Sequence, residues 1–154
     1  MVSSRKRMDI RSFKRMGKIA IHQPNFFPHA AFFDKMKQSD VFVIMGYCQF
    51  EKNNYQNRFN MEDDWYTMRV HRGNKPIIEK EYINAFTDYK IIKSKLPQYT
   101  KVLKQFDDCI HENLLKTNTC IINKIASILE IDINTEVVND YPTSLKGTER
   151  LIDI

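Results

Sequence analysis

The run His22-Gln23-Pro24-Asn25-Phe26-Phe27-Pro28 joins a side chain that titrates near neutral pH to two carboxamides, on a backbone stiffened by two prolines. His22 can exchange a proton with a substrate, while Gln23 and Asn25 can each donate and accept hydrogen bonds. A second polar group follows: Gln49 and Lys52, then Gln56-Asn57-Arg58. Arg58 offers a planar fork of donors that fits a phosphate or carboxylate bidentately, and Lys52 adds a point charge. Gln56 and Asn57 suit hydroxyl or amide groups. The combination points to a polar, anionic small molecule as ligand, with His22 as acid or base. The same residue types also make a hydrogen-bonded loop histidine, a turn at Asn25 and an ordinary solvated loop, so spacing alone leaves both readings open.

These residues need elements to hold them. Lys18 to Ile21 reads as a short first strand, and Pro24 and Pro28 prevent strand or helix from continuing normally after it. A structured loop therefore sits at the carboxyl end of that strand, where open α/β sheets collect ligands. From Ala30 to about Ser39 the pattern suits a short helix. Val41-Phe42-Val43-Ile44-Met45 is a continuous apolar run of the kind buried on both faces in a parallel sheet. Trp65 to Val70 and Pro76 to Ile83 read as further strands, with Gly73-Asn74 as a turn. Residues 87–106 read as helix interrupted near Pro97. Leu114 to Leu129 carries the broad apolar stripe of a helix docked on a sheet. Glu136-Val137-Val138 reads as a strand, and a last amphipathic helix starts at Thr148. This order predicts a three-layer α/β fold, with a mostly parallel sheet flanked by helices.

Composition narrows the class. The chain has 154 residues, 42% of them hydrophobic and 12% aromatic, enough for one domain with a core. No apolar run is long enough for a membrane helix, and the N-terminus lacks the pattern of a secretory signal, so a cytoplasmic location is the expectation. Six of the 24 Lys and Arg and one of the 19 Asp and Glu lie in residues 1–16, leaving eighteen of each sign in the body. The basic character thus belongs to the tail, which reads as solvated disorder or as an extension upstream of an alternative start at Met16. Such a tail suits nucleic acid or anionic lipid, but the neutral body argues against nucleic acid as the partner. Cys48, Cys109 and Cys120 are odd in number and widely spaced, which favours reduced thiols over a disulfide framework or a zinc site. Cys48 is read as a small buried side chain. No residues are assigned to a metal, and no cofactor is specified.

Ile19 to Pro28, then Phe32-Phe33-Asp34-Lys35, Asp40-Val41-Phe42-Val43, Gln49-Phe50 and Gln56-Asn57-Arg58 closely resemble, in order and spacing, the opening of WbqC-like proteins. Trp65 to Val70 and Thr148-Glu149-Arg150-Leu151 resemble later parts of the same family, so the resemblance covers about residues 18–154. It implies a role in bacterial surface-polysaccharide (O-antigen) or related biosynthesis, and transfer of an acyl or aminoacyl group to an amino-sugar or nucleotide-activated substrate. Two departures bear on catalysis. Gly46-Tyr47-Cys48 stand where members tend to carry an acidic pair, and the sequence lacks the Gly-containing segment that follows in members, as expected of a domain incomplete at its C-terminus. A noncatalytic small-molecule-binding module is the alternative reading. Pro28-His29-Ala30-Ala31-Phe32 also looks like the loop of nucleotidylyltransferases, with only the first of that loop's two histidines, which supports a Rossmann-like, nucleotidylyltransferase-like fold.

Overall fold

A computed structural model describes residues 17–132 and 134–138. The basic tail and the expected helix from Thr148 lie outside these residues. Strand β1 (Ile19–His22) leads through the proline loop into helix α1 (Ala30–Lys37) and back into β2 (Val41–Met45), which runs parallel to β1. All five residues of β2 are buried because β2 is the central strand, with β5 (Asn134–Val138) parallel on its other side. Phe42 and Ile44 enter the main core with Ala20 and with Phe32, Phe33 and Met36 of α1. Val41, Val43 and Met45 are buried on the other face of the strand. In this register His22 pairs with Ile44, so the proline loop leaves the sheet at its carboxyl edge.

The architecture is mixed α/β, with two small sheets. The second is an antiparallel hairpin of β3 (Arg58–Met61) and β4 (Asp64–Thr67), separate from the parallel sheet. Its two-residue turn, Glu62-Asp63, has φ of 53° and 65°, the backbone hand that matches the twist of a tight hairpin. The strand read from Trp65 to Val70 therefore stops at Thr67. Beyond it, Met68 N–H donates to the Asn57 carbonyl at 2.8 Å.

The strand expected over Pro76 to Ile83 is not formed. Ile77–Glu79 is a 3₁₀ turn, because Pro76 lacks an N–H and the next donors go to unrelated segments: Ile77 to Cys48 O at 2.8 Å and Ile78 to Gly46 O at 2.7 Å. A ladder needs one continuous neighbour, and this stretch has several. The helical middle follows the pattern read from the sequence, with α2 (Ala85–Lys95), a 3₁₀ turn at Pro97–Tyr99, and α3 (Thr100–Lys104). Asn84 caps α2, accepting from Thr87 N–H at 3.3 Å. Arg69, just past β4, grips the buried Asp88 of α2 through Nε at 3.0 Å and Nη2 at 2.6 Å, and its backbone N–H adds a third donor at 2.8 Å.

Helix α4 (Leu114–Ile128) buries Leu114, Leu115, Ile121 and Ile122 in the core and is capped by Asn113, which accepts from Lys116 N–H at 2.9 Å. The expectation of three reduced thiols is corrected here. Cys109 and Cys120 form a disulfide, Cα to Cα 5.3 Å, because the chain doubles back between the 3₁₀ turn at Asp107–Cys109 and α4. Helical periodicity brings position 120 round to that turn, a closeness that sequence spacing does not reveal.

On the same helix, Asn118 is fully buried. Its Nδ2 donates to Pro24 O at 2.9 Å and Gln56 O at 2.7 Å, and its Oδ1 accepts from Tyr82 OH at 3.2 Å. Asn118→Leu, close in volume, leaves three buried polar groups without partners at about 1–3 kcal/mol each. We expect a loss of roughly 3–5 kcal/mol in urea unfolding. A loss below 1 kcal/mol would show that this contact does not hold the loops.

Candidate functional site

The loop after β1 is built by sealing its backbone. Pro24 and Asn25 are nearly buried, Phe26 is wholly so, and Phe26 N–H donates to Tyr55 O at 2.9 Å. Phe27 has φ of 45°, a left-handed conformation that is costly for an aromatic residue. Its ring is wedged among Phe26, Phe59, Tyr89 and Phe106, with centroids 4.9 to 6.2 Å away, and this packing holds the strain in place.

His22 stands at the mouth of that loop. Its Nδ1 lies 2.8 Å from Gln23 O, and a carbonyl only accepts, so Nδ1 carries the proton and Nε2 keeps its lone pair. Phe32 packs edge-on to the ring at 4.7 Å. Burial pushes the imidazole below its ordinary value of 6.5. Lys35 and His29 push the same way, and together these outweigh the Gln23 bond, which raises it. At neutral pH His22 is therefore an uncharged base.

The second polar group is tied to the first by a hydrogen bond from Gln56 Nε2 to Gln23 Oε1 at 2.8 Å. Gln56 is fully buried, and its Oε1 accepts from Glu51 N–H at 2.9 Å, so its side chain is committed at both ends. Asn57 donates to Met68 O at 2.7 Å. Arg58 donates to Asn53 O, and its guanidinium lies 4.0 Å over the ring of Trp65. Gln49 holds the turn after Val70, donating to Asn74 Oδ1 at 2.6 Å and Lys75 O at 3.0 Å.

The predicted residues thus divide between two hollows. His22 and Gln23 line an open groove of about 1130 Å³ along β1 and α1, with Asp34, Lys35 and Cys48, a residue read as buried that is in fact half-buried. Lys52, Asn57 and Arg58 line a cleft of about 700 Å³ on the hairpin side. Gln23 and Gln56 bridge the wall between them. Asn25 and Gln49 line neither hollow.

Sequence reasoning missed the rest of the cleft: Phe50, Thr67, Val70, His71, Arg72 and Lys80. Its walls carry Lys52, Arg58, Arg72 and Lys80 and no carboxylate. The ion pairs among the described residues are Arg69–Asp88, Lys93–Asp107 and Lys124–Asp108, none of which involves these four cations. Arg72 beside Gly73-Asn74 was a visible signal, a cation at a turn. Lys80 was hidden between Glu79 and Glu81 in a segment that reads as solvated. Among the described residues, no three His, Cys, Asp or Glu side chains group to hold a metal, and no helix is long and apolar enough to cross a membrane.

A parallel βαβ unit with a proline-braced loop at its carboxyl edge, beside a cation-walled cleft, makes this a small mixed α/β protein. The chain belongs to the WbqC-like protein family, whose model matches residues 23–154, beginning one residue after His22. No curated protein and no solved structure matches it.

The depressed His22 has a measurable consequence. Stability contributed by its neutral form is complete above pH 6.5 and falls as pH drops toward the lower folded value, since the unfolded chain binds the proton more readily. The urea midpoint should decline between pH 7 and 5.5, and His22→Gln should flatten that decline. Parallel pH profiles for the two proteins would contradict the burial of a neutral imidazole.

Proposed function

We propose that this WbqC-like protein binds a phosphorylated or nucleotide-activated small molecule in the hairpin-side cleft and serves bacterial surface-polysaccharide (O-antigen) or related biosynthesis in the cytoplasm. The observation that carries the reading is the cleft wall: Lys52, Arg58 and Arg72 face about 700 Å³ with no carboxylate to neutralise them. Clefts lined by one sign of charge concentrate ions of the other, and low-dielectric walls strengthen the effect. Arg58 is held by Asn53 O and stacked on Trp65, so less side-chain freedom is lost when it grips an anion. Asn57 borders the same space and orients the ligand. The volume is that of a small-molecule site.

The chemistry we propose is transfer of an acyl or aminoacyl group from an activated acyl donor to an amino-sugar or nucleotide-activated substrate. The acceptor amine or hydroxyl bonds to the acyl carbon as the donor's leaving group departs with its electron pair. His22 Nε2, unprotonated at neutral pH, is suited to take the proton from the attacking amine or hydroxyl. Gln23 then contacts the acceptor in the groove. The parallel β1-β2-β5 sheet, with its loop at the carboxyl edge, supports a Rossmann-like, nucleotidylyltransferase-like architecture.

One observation favours a second reading. His22 lines the groove and Arg58 the cleft, and Gly46-Tyr47 supply no carboxylate between them. A binding module without turnover fits that separation. The two readings part on two variants, followed by thermal-shift titration with ATP and a series of sugar nucleotides and by turnover assays. Arg58→Ala should lower affinity by roughly tenfold or more under either reading, the loss of a charge-assisted contact. His22→Ala should retain affinity under both, and lose turnover if the chain is a transferase. Unchanged affinity in Arg58→Ala would refute the cleft as the ligand site.

A further inference from the structure

Lys80 is only 3% exposed, yet no carboxylate among the described residues pairs with it. Its Nζ donates to His71 O and Gly73 O, each at 2.7 Å, and lies 4.9 Å from the centre of the Phe50 ring. Gly73, at φ of 123°, takes a backbone hand that L side chains rarely adopt, and this turns its carbonyl onto the ammonium. An ammonium has three donors and these carbonyls use two. Lys80 also borders the cleft. Burial and the nearby Lys75 both push its pKa down, the sign of a cation lacking its counter-charge.

A charge withdrawn from water is costly unless it is paired, and two carbonyl dipoles do not neutralise it. Glu79 and Glu81 border a smaller hollow with Lys80 but neither pairs with it, and no carboxylate lines the cleft, so an anion bound in the cleft can supply the counter-charge. Lys52, Arg58 and Arg72 share the cleft, which makes four cations facing one space. A carboxylate or a single phosphate leaves most of that charge uncompensated. Two linked phosphoryl groups supply more negative charge and enough oxygens to reach both a buried and an exposed wall. Beyond Arg58, Trp65 and Tyr55 are 45% and 40% exposed and 5.5 Å apart, a ring surface beside the cation wall.

We propose that Lys80 is the buried anchor for a diphosphate group, with Lys52, Arg58 and Arg72 closing on its outer oxygens. This rests on the cleft being the ligand site, and it selects among phosphorylated ligands those carrying a diphosphate. Lys80 is a binding residue here, distinct from a mere staple of the turn.

The test is titration of the full chain with inorganic pyrophosphate and, separately, inorganic phosphate, followed by calorimetry and thermal shift. The unmodified protein should bind pyrophosphate at least roughly tenfold more tightly than phosphate. Lys80→Met removes the charge and keeps the stem, whereas Lys80→Gln keeps a donor for the two carbonyls. Both should melt no lower than the parent without ligand and bind pyrophosphate roughly 30-fold more weakly or worse. Parent-like pyrophosphate affinity in either variant, or failure of both to fold, overturns the role of Lys80 and leaves the cleft reading standing. Equal affinity of the unmodified protein for the two anions overturns the diphosphate assignment alone. No binding of either anion by the unmodified protein removes the cleft reading together with this proposal.

Discussion

The amide of Asn118 reaches two carbonyls that no strand can satisfy, Pro24 O and Gln56 O, and accepts the hydroxyl of Tyr82 from a third segment. All of this happens out of water, where an unpaired polar group is costly and a paired one is strong. One side chain on α4 therefore fixes the loop after β1, the loop before β3 and the segment after the 3₁₀ turn. Tyr82 is wholly buried, and its phenol is pushed far above the ordinary value by desolvation, so it stays a neutral donor at any pH of interest. The contact is neutral throughout and does not titrate under working conditions. Gln56 extends it, since its backbone is bound by Asn118 and its side chain reaches Gln23 and Glu51 N–H. The wall between groove and cleft is thus a single hydrogen-bonded unit.

Charge is distributed around that wall with a purpose that net values conceal. Beyond residue 16 the chain balances eighteen basic against eighteen acidic residues. Acids are consumed elsewhere: Asp88 by Arg69, Asp107 by Lys93 and Asp108 by Lys124. Among the described residues, no carboxylate pairs with the cations of the cleft. The exposed pairs at Asp107 and Asp108 contribute little to stability, whereas the buried Asp88, held by three donors of Arg69, ties the segment after β4 to α2.

Local order was legible where periodicity and proline speak directly. β1, α1, β2, the break at Pro97 and the long helix α4 follow from apolar spacing and from residues that cannot continue an element. The segment Pro76 to Ile83 misled because its β-branched pairs favour a strand only when a continuous neighbour exists, and the chain offers Cys48 O and Gly46 O instead. The disulfide was hidden for a related reason. Cys109 and Cys120 meet through a reversal of the chain, and sequence spacing carries no record of that reversal. Of the site, His22 and Arg58 stood out by chemical type. Their assignment to different hollows depends on which side of the Gln23–Gln56 bridge each one faces, a property of packing.

Lys80 shows why charge pattern alone misreads such residues. Between Glu79 and Glu81, a lysine reads as the middle of a solvated alternating run. The 3₁₀ turn changes that outcome: Ile77 is driven into the core, Glu79 and Glu81 remain outside, and Lys80 turns inward beneath Phe50. The carbonyls of His71 and Gly73 then meet it because Gly73 permits a hand that other residues resist. A regular ladder over 76–83 would point successive side chains to opposite faces, putting Glu79 and Glu81 on one side and Lys80 with Ile78 and Tyr82 on the other. From Glu79 to Tyr82 the burial still alternates in that way, Lys80 and Tyr82 in and Glu79 and Glu81 out, so the cleft gains a cation at its floor without the acids that flank it in sequence.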